Sequence, residues 1–301
     1  MNENRIETRW LYTASPDFPA LLEASKGVCV IPMGCVEKHG LHLPTGTDIL
    51  HASRIAQMAA DIEPVCVFPD FTFGDVSCNA PVHPNGYMPA GSITLSVETE
   101  MLLLDELCEQ ISRNGFKKIL LLNGHGGNNP WLDTFLRKLA NKKHDFVCGK
   151  IMVKLQAPHP MAEILIEKGP GSIPELTPED EKLILDYHEM GMKVGHACMG
   201  ETAWIMGFAP EAVHLERLGI ESGLSTHVTD YLKEAGIRIM DDGWGYNYPN
   251  AFSGHDPVGC NERIGKAALR LEAERVAHAF KVFKEDENML RWLDEMQRGW
   301  E

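Results

Sequence analysis

Two short polar stretches of the chain carry residue types that suit metal chemistry. The first follows an apolar run and contains Glu37, His39 and Asp48. Glu37 and His39 are two residues apart, so in extended backbone their side chains point to the same side. A carboxylate and an imidazole directly after a buried strand are costly unless they bind something, and the pattern therefore favours metal binding. Asp48 taken alone could instead cap the helix predicted after it.

The second polar stretch reads Asn-Gly-His-Gly-Gly-Asn over residues 123–128 and also follows an apolar run. Its glycines allow a sharp turn and a close approach of a ligand to the backbone. His125 would then stand at the end of a strand, beside Glu37 if the two strands are neighbours. Alone, the turn could be a helix entry without chemistry. It also resembles an esterase oxyanion turn, but the chain has no Gly-x-Ser-x-Gly nucleophile motif, which argues against an esterase.

A third stretch, residues 196–204, places His196 and Glu201 at the start of a predicted helix. An ordinary helix start with an acidic first turn would explain this stretch equally well. Together the candidate metal ligands are two histidines, two glutamates and one aspartate: His39, His125, Glu37, Glu201 and Asp48. Such a set suits two divalent ions (Zn²⁺, Mn²⁺ or Fe²⁺) that share a bridging carboxylate. Two-metal centres activate water and polarise carbonyl groups, which is the chemistry of hydrolysis.

The elements that must position these stretches alternate along the chain as strand and helix. Strands are predicted at 27–33, 65–68, 118–122, 146–155 and 237–240, and helices at 49–60, 97–113, 131–141, near Thr202 and at 261–285. Strands that are apolar on both faces and separated by helices indicate an α/β fold with a mostly parallel sheet covered on both sides. In such sheets the functional loops leave the carboxyl ends of the strands, where the first two polar stretches lie.

Two proline-rich stretches interrupt this alternation. Residues 71–91 are predicted to form a long irregular loop, and residues 157–180 an insertion over one face that serves as a lid or an oligomer contact. We expect a single domain over residues 1–301, because neither a linker nor an internal repeat is visible in the sequence.

Composition excludes several classes of function. The chain has 43 acidic against 28 basic residues and a net charge of −15, whereas a nucleic-acid-binding protein needs a basic face. No apolar run approaches the roughly 20 residues that span a bilayer, and the N-terminus lacks a signal-peptide pattern. The eight cysteines form no Cys-x-x-Cys pair, so a disulfide scaffold is not expected. We therefore expect a cytoplasmic protein that binds neither nucleic acid nor a membrane.

The polar stretches resemble the motifs of the creatininase (creatinine amidohydrolase) family. The residues that carry the resemblance are 32–40, Thr47-Asp48, 89–93, 123–128, 196–202 and 254–257. The resemblance implies a three-layer α/β/α fold, a two-metal hydrolase and commonly a homo-oligomer, a hexamer built from dimers. By motif position, Glu37, Asp48 and His125 would hold one ion, and His39 with the bridging Asp48 would hold the other.

The sequence also departs from creatininase itself, which carries an aromatic residue and a metal-binding Glu directly after the His of the Asn-Gly-His turn. Here Gly126 and Gly127 occupy those places, and Met192 stands where creatininase has a Trp. We therefore expect the creatinine-specific pocket to be absent. The Gly-Gly form resembles branches of the family that act on formamides, on peptide-like substrates or on cyclic ketones derived from inositols.

These observations favour a dinuclear-metal hydrolase that acts on a small, polar, cyclic molecule, first of all at an amide bond. One alternative is hydrolysis of a carbon–carbon bond in a cyclic keto-inositol. The other is a non-catalytic ligand-binding or assembly protein on the same fold, which would tolerate the loss of metal ligands.

Roles for the remaining candidates follow from this hypothesis. His196 is the candidate general acid, because an imidazole pKa near 6.5 suits proton transfer at neutral pH. Glu201 is expected to supply the ligand that is missing at Gly127, with Glu262 as the alternative. His83, Tyr87 and Trp204 are candidate substrate contacts.

Overall fold

A four-stranded parallel sheet forms the centre of the protein, whose computed structural model describes residues 6–76 and 89–298. The strands are β1 (Val28–Met33), β2 (Cys66–Val67), β3 (Lys118–Asn123) and β4 (Val147–Met152), in the order β2-β1-β3-β4. β1 and β3 pair along their whole length, from Val28 beside Lys118 to Met33 beside Asn123. Every residue of these two central strands is buried, as the continuous apolar runs predicted.

Helices cover both faces of the sheet. The helices of the described residues are α1 (Phe18–Ala24), α2 (Thr47–Ile62), α3 (Val97–Arg113), α4 (Asn128–Leu139), α5 (His159–Lys168), α6 (Pro178–Glu189), α7 (Met199–Met206), α8 (Asp230–Glu234), α9 (Trp244–Asn247), α10 (Glu262–Glu285) and α11 (Met289–Gln297). Val30 and Leu120 lie in a core with α2, α5, α6, α7 and α10, and Ile31 and Leu121 lie in a second core with α1, α3 and α4. The three-layer α/β/α fold is thereby confirmed.

One predicted strand is wrong. Residues 237–239 have no regular structure, and a 3₁₀ turn at Met240–Gly243 follows them. Ile237 and Met240 are 51% and 76% exposed, and none of the four described strands runs beside them. Their apolar character resembles that of a strand, but they pair with none of the described strands.

Two helices, α5 and α6, begin beside prolines of the predicted insertion at 157–180. Pro158 directly precedes α5, and Pro178 is the first residue of α6, where proline's fixed φ and missing N–H are tolerated. Thr177 and Asp180 add a capping box at the start of α6. α5 and α6 pack against each other on one face of the sheet. That this segment is an insertion within a single domain of residues 1–301 stays a prediction.

The structure describes only part of the chain on which two further predictions bear, the irregular loop at 71–91 and the absence of a membrane-spanning helix. Most of the irregular loop predicted at 71–91 lies outside that part, because residues 77–88 are not described. Within 6–76 and 89–298, none of the helices has both the length and the apolar character needed to cross a membrane.

The carboxyl end of β1 meets the first turn of α2, and this contact positions the candidate ligands. Gly34 follows β1, and a Cβ atom at this position would lie 2.4 Å from the backbone nitrogen of Ile49. Only glycine permits this approach. It places the loop that carries Glu37 beside the helix turn that carries Asp48.

We expect Gly34→Ala to lower the free energy of unfolding by about 1–3 kcal/mol, because overpacking forces the strand end and α2 apart. Gly149→Ala on β4 is the matched control, since a Cβ there would meet its nearest atoms at an ordinary 3.8 Å. Urea denaturation of both variants measures the difference. An equal loss of unfolding free energy in the two variants would show that Gly34 is not tightly packed against the first turn of α2.

Candidate metal centre

Six polar side chains converge at the carboxyl ends of β1 and β3. Glu37 and His39 lie on the loop after β1, and His125 follows β3. His196 lies three residues before α7, and Glu201 lies in the first turn of that helix. Asp48 lies in the first turn of α2, but Gly46 is the N-cap of that helix, so capping does not explain Asp48. The structure thus brings together the predicted ligands and the candidate acid.

The two carboxylate oxygens of Asp48 face different partners. Oδ2 lies 2.8 Å from Nδ1 of His125 and 3.0 Å from Sγ of Cys35. Oδ1 lies 3.3 Å from Nε2 of His39 on the other side. Three sets of ligand atoms are compact enough to hold an ion, each with all its atoms within 4.8 Å of one another: Cys35, Glu37, Asp48 and His125; His39, Asp48 and Glu201; Glu37, His39 and His196. Asp48 belongs to the first two sets.

Each histidine of the cluster is held by a backbone carbonyl on the side away from the carboxylates. Nε2 of His125 donates to the Asp75 carbonyl at 2.8 Å, and Nε2 of His196 donates to the Lys38 carbonyl at 2.8 Å. Nδ1 of His39 donates to the Glu37 carbonyl at 3.2 Å. A neutral imidazole carries one N–H, so the other nitrogen of each ring presents a lone pair to the carboxylates.

This arrangement of the histidines fits bound cations. A lone pair that faces a carboxylate is repelled unless a proton or a cation lies between them. Metal-binding histidines in proteins typically donate their second nitrogen to a carbonyl or a carboxylate, which fixes the tautomer and the ring orientation. The donor set of imidazole nitrogens and carboxylate oxygens is also the one that Zn²⁺ and similar divalent ions take.

The pKa values of His125 and Glu201 are both shifted upward in the cluster. Burial alone would lower the pKa of His125, but the carboxylates of Glu37 and Asp48 raise it well above its usual value. Burial raises the pKa of Glu201 to about 8, with the Asp48 and Glu37 charges acting in the same direction. Metal ions bind the deprotonated forms of these groups, so at neutral pH a proton stands where a cation fits.

Glu201 reaches the cluster from the first turn of α7. The N–H of Ala197 donates to its Oε2, and Ala197 itself adopts a left-handed conformation with φ 58° that closes this turn. The same oxygen lies 3.7 Å from Nε2 of His39. The alternative ligand, Glu262, is half-exposed, forms an ion pair with Lys266 and belongs to none of the three described sets.

Gly127 could not carry a ligand in this structure. A Cβ at this position would lie 2.5 Å from both the Asp75 carbonyl oxygen and Nε2 of His125. The hydrogen bond between those two atoms therefore occupies the space of a side chain. A Cβ at Gly126, by contrast, meets no atom within 4 Å and would point into open space.

The cluster forms the floor of a cavity of about 460 Å³. Its walls include Gly126 and the apolar side chains Met152, Val153, Leu155, Trp204 and Trp244. Trp204 is almost fully buried and stacks on His51, with ring centroids 4.1 Å apart. Of the candidate substrate contacts only Trp204 can be placed, because His83 and Tyr87 lie outside the described residues.

Sequence reasoning identified neither Trp244 nor His51 as part of the site. Trp244 meets the His196 ring edge to face, with centroids 5.3 Å apart, but no motif surrounds it in the sequence. His51 is fully buried one turn after Asp48, and its Nε2 lies 3.6 Å from Oδ1 of that residue. The helical spacing of three residues between Asp48 and His51 was the available signal.

Comparison with protein families and curated proteins gives consistent matches. The family model for creatininase, described as creatinine amidohydrolase, matches residues 12–280. The creatinine amidohydrolase of Pseudomonas putida is 24% identical over 207 residues, which cover 67% of this chain and 72% of that protein. The 3-dehydro-scyllo-inosose hydrolase of Thermotoga maritima is 26% identical over 271 residues, which cover 89% of this chain and 76% of that protein.

Solved structures share the fold. A crystal structure of creatinine amidohydrolase (creatininase) aligns with a TM-score of 0.67 at 18% identity, covering 94% of this chain and all of that one. A putative creatinine amidohydrolase from Bacteroides fragilis aligns with a TM-score of 0.65 at 22% identity, covering 94% of this chain and 99% of that one. Other similar structures are described as a manganese form and a Zn-Zn form of creatininase.

Removal of bound ions should destabilise the protein more at pH 9 than at pH 7. Without ions, the folded state keeps protons on His125 and Glu201 at pH values where the unfolded chain has released them, since both folded pKa values are raised. The free energy of unfolding of the metal-free form therefore falls as the pH rises through those pKa values. Thermal unfolding with and without a chelator at both pH values measures the loss of unfolding temperature that metal removal causes. A loss that is equal at the two pH values, or smaller at pH 9 than at pH 7, would contradict this account.

Proposed function

The chain belongs to the creatininase family, and we propose that it is a two-metal hydrolase of a small, polar, cyclic substrate. One observation carries the proposal: the two oxygens of Asp48 face two separate sets of ligand atoms. A carboxylate placed in this way is suited to bridge two cations. The hydrolases among its relatives support the reaction class.

The described residues fit two divalent ions, Zn²⁺, Mn²⁺ or Fe²⁺. Glu37, Asp48 and His125 would hold the first ion, and His39, Asp48 and Glu201 the second. Two such ions activate a water molecule and polarise the carbonyl that it attacks. The three carboxylates carry one negative charge fewer than two divalent ions carry positive, which leaves the site suited to a polar oxygen of a substrate.

We propose His196 as the general acid. Its ring borders the cavity, and its Nδ1 lies 3.6 Å from Oε1 of Glu37. Because Nε2 is held by the Lys38 carbonyl, the proton delivered to a leaving group would come from Nδ1 of the imidazolium form.

The cavity favours a compact ring with polar groups. Its volume of about 460 Å³ is at the small end for ligand sites, and its walls combine the polar cluster with apolar side chains. Hydrolysis of an amide bond is the first candidate reaction, in line with the creatinine amidohydrolase of Pseudomonas putida. Trp204 and Trp244 would pack on the substrate ring.

The second candidate reaction is hydrolysis of a carbon–carbon bond in a cyclic keto-inositol. The relative named 3-dehydro-scyllo-inosose hydrolase aligns with 89% of this chain, against 67% for the creatinine amidohydrolase. The open space over Gly126 also leaves room for the hydroxyl groups of a polyol ring. We further propose that the protein works in the cytoplasm as a homo-oligomer, a hexamer by resemblance to the family.

Assays of the metal-loaded protein with creatinine, formamides and keto-inositols distinguish these reactions. Turnover of a keto-inositol without turnover of creatinine or a formamide would favour carbon–carbon bond hydrolysis. Turnover of an amide without turnover of a keto-inositol would favour amide hydrolysis. Elemental analysis addresses the non-catalytic alternative: well under one ion per chain, with no activation by Mn²⁺ or Zn²⁺, would favour a ligand-binding or assembly protein.

Asp48→Asn should abolish turnover and leave the fold intact, because an amide cannot offer an anionic oxygen to each of two cations. Elemental analysis should show loss of at least one ion per chain, and circular dichroism should be unchanged. Asp61→Asn, near the other end of the same helix, is the matched control. Two bound ions and near-normal turnover in Asp48→Asn would rule out the bridging role.

His196→Ala should lower turnover roughly 10²–10⁴-fold, the usual range for a lost general acid or base, while both ions stay bound. Steady-state kinetics and metal analysis of the same preparation test this. Since Glu37, His39 and His196 also form a compact set, loss of an ion along with activity would make His196 a ligand instead.

Glu201→Gln should lower the occupancy of the second ion selectively, because the amide weakens the set formed with His39 and Asp48. Glu262→Gln is the matched control and should keep both ions. Metal analysis after dialysis reports the occupancy. If Glu201→Gln retained both ions as tightly as the control, another group would be the missing ligand.

A further inference from the structure

Cys35 is a buried thiol beside the proposed two-metal centre that none of the roles above uses. It follows β1 by two residues, and its side chain is fully buried. Its Sγ lies 3.0 Å from Oδ2 of Asp48, the oxygen that also faces His125. With Glu37, Asp48 and His125 it forms a set of four potential ligand atoms, all within 4.8 Å of one another. It is the one sulfur in the three sets found among the described residues.

The spacing of these atoms is that of neighbouring ligands around one ion. With bonds of about 2.1 Å, two ligands about 90° apart are separated by about 3.0 Å. Oδ2 of Asp48 lies 3.0 Å from the sulfur of Cys35 and 2.8 Å from Nδ1 of His125. Nδ1 of His125 in turn lies 3.1 Å from Oε1 of Glu37. These three separations, with all four atoms within 4.8 Å of one another, suit ligands of a common ion.

We propose that Cys35 binds the first ion through its sulfur and makes that position selective for a thiophilic divalent ion such as Zn²⁺. The inference rests on the two-metal centre proposed above. On binding, the sulfur bonds to the ion as a thiolate and the thiol proton leaves to solvent. Thiolate ligands favour Zn²⁺ over Mn²⁺ and Mg²⁺, which prefer oxygen.

The two positions of the centre then differ in chemistry. The first has one sulfur, one nitrogen and two carboxylate ligands, from Cys35, His125, Glu37 and Asp48. The second has only nitrogen and oxygen ligands, from His39, Asp48 and Glu201. Mn²⁺ can therefore occupy the second position while Zn²⁺ holds the first. The added thiolate also brings the ligand charge level with that of two divalent ions.

X-ray absorption at the zinc edge tests the sulfur ligand without relying on activity. The protein loaded with Zn²⁺ should show a sulfur shell at about 2.3 Å beside nitrogen and oxygen at about 2.0–2.2 Å. The Co²⁺-loaded protein should show a near-ultraviolet sulfur-to-cobalt charge-transfer band. Both signals should disappear in Cys35→Ser and persist in Cys148→Ser, a half-buried cysteine on β4.

Metal competition tests the selectivity. In Cys35→Ser we expect the affinity for Zn²⁺ to fall by at least about 10–100-fold, since loss of even an outer-shell partner costs that much, while Mn²⁺ affinity changes far less. An equal change for both ions would contradict the selectivity. If Cys35→Ser does not fold, the spectra of the unsubstituted protein decide the question alone.

The outcomes separate this inference from the proposed function. Two zinc ions per chain with nitrogen and oxygen neighbours only would overturn the sulfur ligand and leave the two-metal hydrolase in place. In that case the Cys35 thiol only donates a hydrogen bond to Asp48. Fewer than one ion per chain, even with excess metal, would overturn both.

Discussion

Three buried carboxylates in one cluster are the constraint on which the rest of the structure depends. Glu37, Asp48 and Glu201 are almost inaccessible to solvent, and buried carboxylates are stable only when paired or bound to a cation. The surrounding histidines cannot relieve the repulsion as neutral bases, since their protons point to backbone carbonyls. Divalent ions resolve both difficulties at once, because lone pairs and negative charges then face positive charge.

The fold makes this concentration of charge attainable. Parallel pairing brings the carboxyl ends of β1 and β3 together, and the close packing of α2 inserts Asp48 between them. The other side of the site, with His196 and Glu201, comes from a distant part of the chain. A short antiparallel bridge between His196 and Ser253 shapes that side of the cavity. An ion pair of Lys38 with Glu221 ties the loop after β1 to the same region.

Much of the site could be predicted from the sequence because its residues lie in local motifs at strand ends. Glu37 and His39 follow one strand and His125 follows its neighbour, so the parallel fold alone brings them together. Cys35 and Trp244 could not be found in the same way. A buried cysteine usually has only a packing role. Trp244 begins the four-residue helix α9 directly after a 3₁₀ turn, and elements this short show no periodicity in the sequence.

Errors in the secondary structure have the same origin. The apolar residues at 237–240 resemble a strand locally, but a strand needs a partner, and pairing is decided by the whole fold. The prolines near 157–180 gave no indication of α5 and α6, although proline is compatible with the first turn of a helix. Local pattern predicted the central elements well, since burial of β1 and β3 on both faces leaves a strong apolar signal.

Anomalous diffraction from crystals of the zinc-loaded protein tests the central claim most directly, because it locates each ion relative to Asp48. The account predicts two peaks per chain, one on each side of the Asp48 carboxylate: the first beside Glu37 and His125, the second beside His39 and Glu201. A single peak, or two peaks of which only one touches Asp48, would contradict it.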